Sequence, residues 1–396
     1  MADFNWTRRT ALAAALALTL APTFAAAEEP VRIGFSISQT GLFAQAASTQ
    51  MRAYEFWRDQ VNAAGGLDVA GTKRPIEFVV YDDQSAPAQA VKIYEKLITD
   101  DKVDLLMAPW GTPFQIAIAP VVERFEFPVV GNSAASVMLR KLKPGYIWFP
   151  TSAIPDRMGP ELATMMKQEG VKSAAVLANI LPFSKEVKSF LVPALKKEGI
   201  EVVFDQDYPP DIKDMTAMLD AVKTAKPDAV IALSYPGDTV LFSQQAKELG
   251  IVAPFTFALV GPSMDFYQKV MGEAGSNHVV TAGHWSPNRA DWPSAKPFFD
   301  AYVAKYNEIP DHLDSVLAYM SCEILQQAVA KAGLDKPKLR EVISTDTFET
   351  INGPVKFEGV ENVLTPTAFI EIQDGKLELV WPASIATAKF APKTSW

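Results

Sequence analysis

The chain has 396 residues, of which 48% are hydrophobic and 21% are charged, a balance that predicts a globular protein of about two domains. Three histidines and a single cysteine, Cys322, argue against a structural zinc site, an iron–sulfur cluster and a disulfide framework. The net charge of −9, without any run of basic residues, argues against a nucleic-acid-binding surface.

The N-terminus has the order of features that is typical of a secretory signal peptide. Arg8 and Arg9 precede an apolar run at residues 11–20, and small residues follow at 25–27. We expect residues 1–27 to be removed by cleavage after Ala27. A membrane anchor is the rival interpretation, but an apolar core of about ten residues is too short to span a bilayer. Because Arg8 and Arg9 are adjacent, the sequence is compatible with export by the general secretory route and by the twin-arginine route.

From Val31 the chain alternates short apolar runs with stretches whose apolar residues recur every three to four positions. In the first half this pattern predicts strands at 31–37, 76–81, 103–108 and 127–130, and helices at 48–61, 87–99 and 113–125. After a passage rich in proline and glycine it predicts strands at 173–178, 201–204, 229–233 and 255–259, and helices at 183–197, 215–223 and 239–249. Apolar strands separated by helices indicate two α/β lobes with parallel sheets.

The tail from about residue 281 is harder to place. Its pattern predicts two or three helices, followed by β-like stretches at 366–372 and 377–380. The tail is too short and too poor in predicted strands for a third lobe, so we expect it to pack onto the first two.

Sequence motifs of common enzymes and metal sites are missing, including nucleotide-binding glycine loops, the nucleophile elbow and the zinc-protease helix motif. The pair Asp82 and Asp83 is best interpreted as the end of a strand or the cap of a helix. Cys322 lies among apolar residues and is expected to be a buried, inert thiol. Nothing in the sequence therefore predicts an enzyme, a metal or a cofactor.

The distinctive residues lie where predicted strands end, which is where open parallel sheets bind ligands. Three such loops in the first lobe, at 38–41, 110–113 and 132–136, are small and rich in hydroxyl groups. Each alone would be an ordinary helix cap, but three around one sheet edge predict a site that holds a carboxylate with hydroxyls and helix N–H groups. The second lobe offers aromatic residues at 181–183 and 234–237, which either face the ligand or pack at the rim.

Several segments together carry a family resemblance. They are Thr40-Gly41, residues 59–67 (DQVNAAGGL), residues 81–91 (YDDQSAPAQAV), residues 133–136 (SAAS) and residues 353–357 (GPVKF). In their order and spacing the chain resembles the periplasmic binding proteins of branched-chain amino-acid ABC importers, the leucine-binding-protein family. This resemblance covers the whole mature chain.

The resemblance implies a type I periplasmic-binding-protein fold, in which two Rossmann-like lobes are joined by three crossovers. Lobe I would comprise residues 28–150 and about 283–362, and lobe II residues 151–282 and about 363–396. It implies a periplasmic monomer, neither an enzyme nor a nucleic-acid binder, that delivers a small carboxylate ligand to a membrane permease without a cofactor. A ligand sensor or adaptor for a membrane receptor is the alternative.

The resemblance also assigns roles to individual residues. The carboxylate contact falls on Thr112, with Ser133 and Ala135 on the same wall, and the aromatic contacts of the second lobe fall on Phe183 and Tyr235. The side chains of Trp110 and Phe43 lie beside this site in the sequence pattern and could stack on a ligand ring.

The chain departs from the family at two places. The family's disulfide falls near Ser85 and Gly111, where this chain has no cysteine. The family's acidic partner for the ligand ammonium follows the strand at 255–259, but residues 260–263 carry no carboxylate. This predicts an aromatic or other apolar acid without an α-amino group. A branched-chain amino acid is the alternative, with Asp238 or Asp314 replacing the missing acid.

Overall fold

The computed structural model describes Met1 and residues 28–141 and 145–396, so the predicted signal peptide and its cleavage site lie outside the described residues, apart from Met1. The helices are α1 (Ala44–Ala63), α2 (Pro87–Thr99), α3 (Thr112–Arg124), α4 (Pro155–Gln168), α5 (Pro182–Lys197), α6 (Thr216–Ala225), α7 (Pro236–Glu248), α8 (Asp265–Ser276), α9 (Ala295–Tyr306), α10 (Asp314–Ala332) and α11 (Lys336–Thr345).

The strands are β1 (Val31–Ile37), β2 (Leu67–Val69), β3 (Thr72–Arg74), β4 (Ile76–Asp82), β5 (Leu105–Leu106), β6 (Val129–Val130), β7 (Ile147–Trp148), β8 (Ser173–Asn179), β9 (Glu201–Tyr208), β10 (Ala229–Leu233), β11 (Phe255–Ala258), β12 (Val279–Ala282), β13 (Thr347–Thr350), β14 (Gly353–Glu358), β15 (Glu361–Asn362), β16 (Phe369–Gln373) and β17 (Lys376–Trp381).

The body that we call the first lobe is built on a parallel sheet of order β4-β1-β5, with the parallel pair β6-β7 beside it. The strand β1 is central and almost completely buried. The helices α1, α2 and α3 belong to this lobe, and the tail helix α10 packs against α1. Strands buried on both faces explain why this part of the sequence shows continuous apolar runs instead of alternation.

The second lobe is built on a seven-stranded sheet of order β17-β16-β12-β11-β10-β8-β9. The five strands β9, β8, β10, β11 and β12 are parallel. The strands β16 and β17 continue the sheet beyond β12, and each is antiparallel to its neighbour. The last two strands come from the C-terminal tail, so the tail closes the edge of this sheet.

The chain passes between the two lobes three times, after β7, after β12 and after β15. The parallel sheets and the crossover connections agree with the predicted fold. The residue bounds of the lobes stay a prediction, because the crossing segments belong to neither sheet.

Most predicted elements are present with small shifts in their ends. The helix predicted at 48–61 is longer, at Ala44–Ala63, and the strand predicted at 103–108 is confirmed only at Leu105–Leu106. The tail was wrongly expected to be poor in strands, since β13, β14 and β15 form a small antiparallel sheet. Its strands are short and alternate between buried and exposed residues, so no long apolar run marks them.

Several helices begin within a few residues of the preceding strand and have a proline in their first turn. The helices α2, α3, α5 and α7 all start this way. Proline fits the first turn because its fixed φ suits a helix and its missing N–H would have no helical partner there. These short connections bring helix N-termini to the carboxyl ends of the strands. Within the described residues, no helix has the length and apolarity that crossing a membrane requires.

Candidate functional site

A small cavity of about 30 Å³, which we call the inner cavity, lies between the two lobes. It is bordered by the loops that follow β5 and β6 in the first lobe, and by those that follow β8, β10, β11 and β12 in the second. The crossing segment contributes Thr151 and Ala153, and the start of α10 contributes Leu313, Asp314 and Leu317. The site is thus assembled at the carboxyl ends of both parallel sheets, as expected for this architecture.

The first-lobe wall consists of two loops that are joined by hydrogen bonds. The Thr112 hydroxyl accepts from the Ala135 N–H at 3.1 Å, and the Ser133 hydroxyl accepts from the Gly111 N–H at 3.0 Å. Gly111 precedes α3 with φ 83°, a conformation that favours glycine, and this turn directs the start of the helix at the inner cavity. The free N–H groups of a helix start attract an anion.

A buried amide network holds these loops from below. The Gln115 side chain donates to Asn132, which in turn donates to the Tyr54 hydroxyl at 2.7 Å. Tyr54 and Gln50 both donate to the Ala108 carbonyl, at 3.0 and 2.9 Å. All four of these side chains are buried. Since each bond ties a loop to α1 or α3, the first-lobe wall is fixed before any ligand arrives.

Asp314 is the carboxyl side chain among the described residues that line the inner cavity. It is 3% exposed, and its Oδ2 accepts from the Trp110 Nε1 at 2.7 Å. Burial, together with the neighbouring Asp311, raises the pKa of Asp314 well above its usual range. Asp311 itself accepts from the N–H groups of Leu313 and Asp314, both at 3.0 Å, and caps the start of α10. None of the described residues that line the inner cavity is a lysine, arginine or histidine, so Asp314 has no cation beside it there.

The second-lobe wall is mainly apolar and includes Phe183, Tyr235, Val260 and Ala282. Tyr235 precedes α7, where its N–H donates to Asp238 Oδ1 at 3.1 Å. The hydroxyl groups of Tyr235 and Ser184 are buried beside each other, and neither makes a hydrogen bond of normal geometry in the described part of the chain. This wall therefore makes contact through ring and methyl surfaces.

Asp238 is engaged in the structure of the second lobe. Its Oδ2 accepts from Tyr208 at 2.7 Å and from Asn179 at 3.0 Å, and its Oδ1 takes part in the helix cap. Burial raises the pKa of Asp238. It does not line the inner cavity, so of the two aspartates that could replace the missing acid only Asp314 is in position.

The structure brings most of the expected site residues together. Six of the seven line the inner cavity, namely Thr112, Ser133, Ala135, Phe183, Tyr235 and Trp110. Phe43 does not, because it lies behind Trp110, with ring centroids 5.3 Å apart, and faces a neighbouring pocket. The loop 38–41 also stays out of the inner cavity, since Ser38 and Thr40 donate to Asp83 and Asp82. These bonds support the structural interpretation of that acidic pair.

Two of the three histidines and the single cysteine are buried outside the inner cavity. His284 contacts Asn352 at 2.8 Å, and burial lowers its pKa to about 4. His312 packs edge-on against Trp285 at 4.7 Å, and burial lowers its pKa to about 3. Cys322 is a buried free thiol, as expected. No group of three or more potential metal ligands occurs in the described residues.

Comparison with known proteins places this chain in a family. The model of a family described as "periplasmic binding protein" matches residues 30–376. The Leu/Ile/Val-binding protein homolog 7 of Brucella melitensis is 24% identical over 388 residues, which cover 92% of this chain and 94% of that protein.

Two solved structures share the fold. One is the branched-chain amino acid transporter substrate-binding protein of Streptococcus pneumoniae in complex with isoleucine, with a TM-score of 0.79, 24% identity and coverage of 89% of this chain and 100% of that one. The other is a solute-binding protein of an ABC transporter from Rhodopseudomonas palustris in complex with 3,4-dihydroxybenzoic acid, with a TM-score of 0.74, 22% identity and coverage of 93% and 99%. They confirm the two-lobed type I fold. Because the family model spans most of its length, the chain belongs to the periplasmic binding protein family.

Proposed function

We propose that this protein is an extracytoplasmic solute-binding protein that captures a small apolar or aromatic carboxylic acid and delivers it to the permease of an ABC importer. The observation that carries the proposal is the inner cavity, where a helix start and hydroxyl groups face aromatic rings between two lobes. Relatives of the same fold have been solved with isoleucine and with 3,4-dihydroxybenzoic acid, which are both small carboxylates.

The first lobe supplies the groups that suit a carboxylate. The N–H groups at the start of α3 carry a partial positive charge. The Thr112 hydroxyl accepts from the Ala135 N–H and donates to the Ala135 carbonyl at 3.5 Å, a long bond that can be exchanged for one to a ligand oxygen. Asp314 adds a donor when it is protonated, the form that burial and Asp311 favour by raising its pKa. A carboxylate is thereby bound without a lysine or arginine.

The same geometry disfavours an α-amino group. A buried ammonium needs an ionised partner, and the acid of the inner cavity, Asp314, is held towards its neutral form. Of residues 260–263, only Val260 lines the inner cavity, and its side chain is apolar. We therefore favour acids that lack the amine over branched-chain amino acids, which remain the second candidate because the relative named above takes its name from them.

Capture requires the lobes to move. A cavity of about 30 Å³ is far below the roughly 300–1,000 Å³ of typical ligand pockets, so the described arrangement is tightly closed. An open form would admit the acid to the first-lobe wall, and closure would then cover it with Phe183 and Tyr235. The membership of the family and the hinge-like crossings support this sequence of events.

Export is part of the proposal. A signal peptide of residues 1–27 would leave a mature protein that begins at Glu28. N-terminal sequencing of the protein from the cell envelope should give Glu28 as the first residue. An exported molecule that still carries Met1 would contradict this.

The ligand class can be tested by a thermal-shift screen. A ligand that binds only the native state raises its Tm. The screen should contain amino acids, 2-oxo acids and aromatic acids, and the largest shifts are expected for aromatic or 2-oxo acids. Shifts confined to leucine, isoleucine and valine would favour the second candidate. Turnover of an ester or amide substrate would contradict a transport role, and a receptor gene in place of permease genes next to this one would favour the sensor alternative.

A further inference from the structure

A second pocket of about 260 Å³ lies at the mouth of the cleft, and we call it the outer pocket. The start of α1 lines one side of it, and the start of α7 with the loop at 210–213 lines the other. It thus lies between the lobes, like the inner cavity, but nearer to solvent.

An aromatic partition separates the two spaces. Phe43 faces the outer pocket, Trp110 faces the inner cavity, and Tyr235 lines both. The ring centroids of Phe43 and Tyr235 are 6.0 Å apart, and those of Trp110 and Tyr235 are 6.4 Å apart. The Tyr235 ring is buried and its hydroxyl lies beside Ser184, so this ring has to turn before one ligand can occupy both spaces.

The two spaces differ in chemistry. The outer pocket is bordered mainly by apolar side chains, among them Leu42, Leu181, Ile212 and Leu241, and the exposed Gln45 and Lys213 also border it. The carboxylate of Asp238 also borders it, but its oxygens are already engaged by Tyr208, Asn179 and the helix cap. The outer pocket therefore suits an apolar group, whereas the inner cavity suits a carboxylate.

Volume links the two spaces to one ligand. The inner cavity, at about 30 Å³, has room for a carboxylate but not for a ring as well. With the outer pocket added, the space approaches the lower end of the roughly 300–1,000 Å³ range of ligand pockets. An elongated molecule that passes the aromatic partition fills both.

We propose that the outer pocket receives the distal apolar group of an elongated aryl-alkanoic acid whose carboxylate lies in the inner cavity. This inference rests on the proposed function, from which it takes the carboxylate end. It adds a second compartment that selects ligands by length.

The test uses a series of aryl-alkanoic acids of increasing length and one substitution that blocks the outer pocket. Benzoate, phenylacetate, 3-phenylpropanoate, 4-phenylbutanoate and 5-phenylpentanoate are titrated by calorimetry. Gly237 lines the outer pocket, and a Cβ added there meets no heavy atom within 4 Å, so Gly237→Trp fills the space without displacing the backbone. The control is Gln244→Trp, which adds the same ring to an exposed position of α7 that does not line the outer pocket.

In the wild-type protein, affinity should rise at least tenfold from phenylacetate to 4-phenylbutanoate. Gly237→Trp should weaken the binding of 4-phenylbutanoate at least tenfold more than it weakens the binding of phenylacetate. Gln244→Trp should leave the dependence of affinity on ligand length as it is in the wild type. If affinity falls beyond phenylacetate in the wild type, the outer pocket is only a crevice and the inference is wrong, while the proposed function stands. An equal loss for short and long acids in Gly237→Trp overturns it too. Failure of every acid to bind would overturn the proposed function along with it.

Discussion

The two walls of the inner cavity are built in different ways. On the first-lobe side, each loop is tied to the next by hydrogen bonds, as Ala135 is to Thr112 and Gly111 is to Ser133. On the second-lobe side, Phe183 and Tyr235 present rings, and the Tyr235 hydroxyl makes no hydrogen bond of normal geometry among the described residues. The first wall presents hydroxyl and N–H groups to the inner cavity, whereas the second presents rings, although hydrogen bonds such as that from the Tyr235 N–H to Asp238 hold its backbone too.

This difference assigns the walls different parts in binding. A wall that is fixed in advance can recognise a charged group at little reorganisation cost, so the first lobe should set affinity for the carboxylate. A wall of rings gains contact only when the lobes close, so the second lobe should set the extent of closure. Changes to the first wall should therefore have larger effects on affinity than changes to the second.

The largest effect is expected from Thr112→Val. The substitution removes a hydroxyl that accepts from the Ala135 N–H and, in our proposal, donates to the ligand carboxylate. A hydrogen bond to a charged group contributes about 1.5–3 kcal/mol, so affinity for the acid found in the thermal-shift screen should fall about tenfold to a hundredfold. Calorimetry with that acid measures the loss.

The matched control is Thr112→Ser, which keeps the hydroxyl and should retain most of the affinity. The fold should survive Thr112→Val, because the side chains are close in size, and the Tm without ligand checks this. Unchanged affinity in Thr112→Val would mean that the carboxylate binds on another loop.

A second test asks whether the fixed wall also rejects an amine. Phenylpyruvate is compared with phenylalanine, and 4-methyl-2-oxopentanoate with leucine. An ammonium beside an acid that burial holds towards neutrality is poorly compensated. The 2-oxo acid of whichever pair binds should be preferred at least tenfold, which corresponds to about 1.4 kcal/mol.

Asp314→Asn separates the two outcomes of this comparison. Tight binding of leucine or phenylalanine that is lost in Asp314→Asn would show that Asp314 is the partner of an amine. The protein would then be an amino-acid binder. Asp238→Asn is the comparison, because Asp238 borders the outer pocket and not the inner cavity, so loss of amino-acid binding in that variant alone would place the amine in the outer pocket.

The sequence predicted the two parallel sheets and most helices because these features are local. Apolar runs such as 229–233 and the proline at the start of α3 mark strands and helix starts within a few residues. The site followed in part from the same logic, since strand ends in such sheets meet at one edge. Thr112, Ser133 and Tyr235 were placed in this way, with the family resemblance to select them.

The rest depends on contacts that are distant in the chain. Asp314 reaches the inner cavity because α10 packs on α1, and its partner Trp110 is 204 residues away. No pattern near Asp314 indicates that contact. Phe43 packs on Trp110, with ring centroids 5.3 Å apart, and lines the neighbouring pocket, so its contact with a ligand ring stays a prediction.

A third test uses pH to examine the fixed wall. Burial and Asp311 raise the pKa of Asp314, and the protonated form donates to a carboxylate whereas the ionised form repels it. Affinity for the acid should therefore fall, by about tenfold, as pH rises through the raised pKa of Asp314. Calorimetry in a series of buffers of increasing pH should show this fall in the wild type and a flat profile in Asp314→Asn. A rise in affinity with pH would contradict the protonated state.

The smallest effects are expected from the second-lobe wall, where the hydroxyl and the ring of Tyr235 can be separated. Because the hydroxyl makes no hydrogen bond of normal geometry in the described part of the chain and lies beside Ser184, Tyr235→Phe should change affinity less than twofold. Tyr235→Ala removes the ring that touches both lobes and should weaken binding about fivefold, or roughly 1 kcal/mol. Small-angle scattering should show full ligand-induced compaction in Tyr235→Phe and reduced compaction in Tyr235→Ala. A loss in Tyr235→Phe as large as in Thr112→Val would show that the second wall also recognises the ligand through hydrogen bonds, and the contrast between the walls would fail.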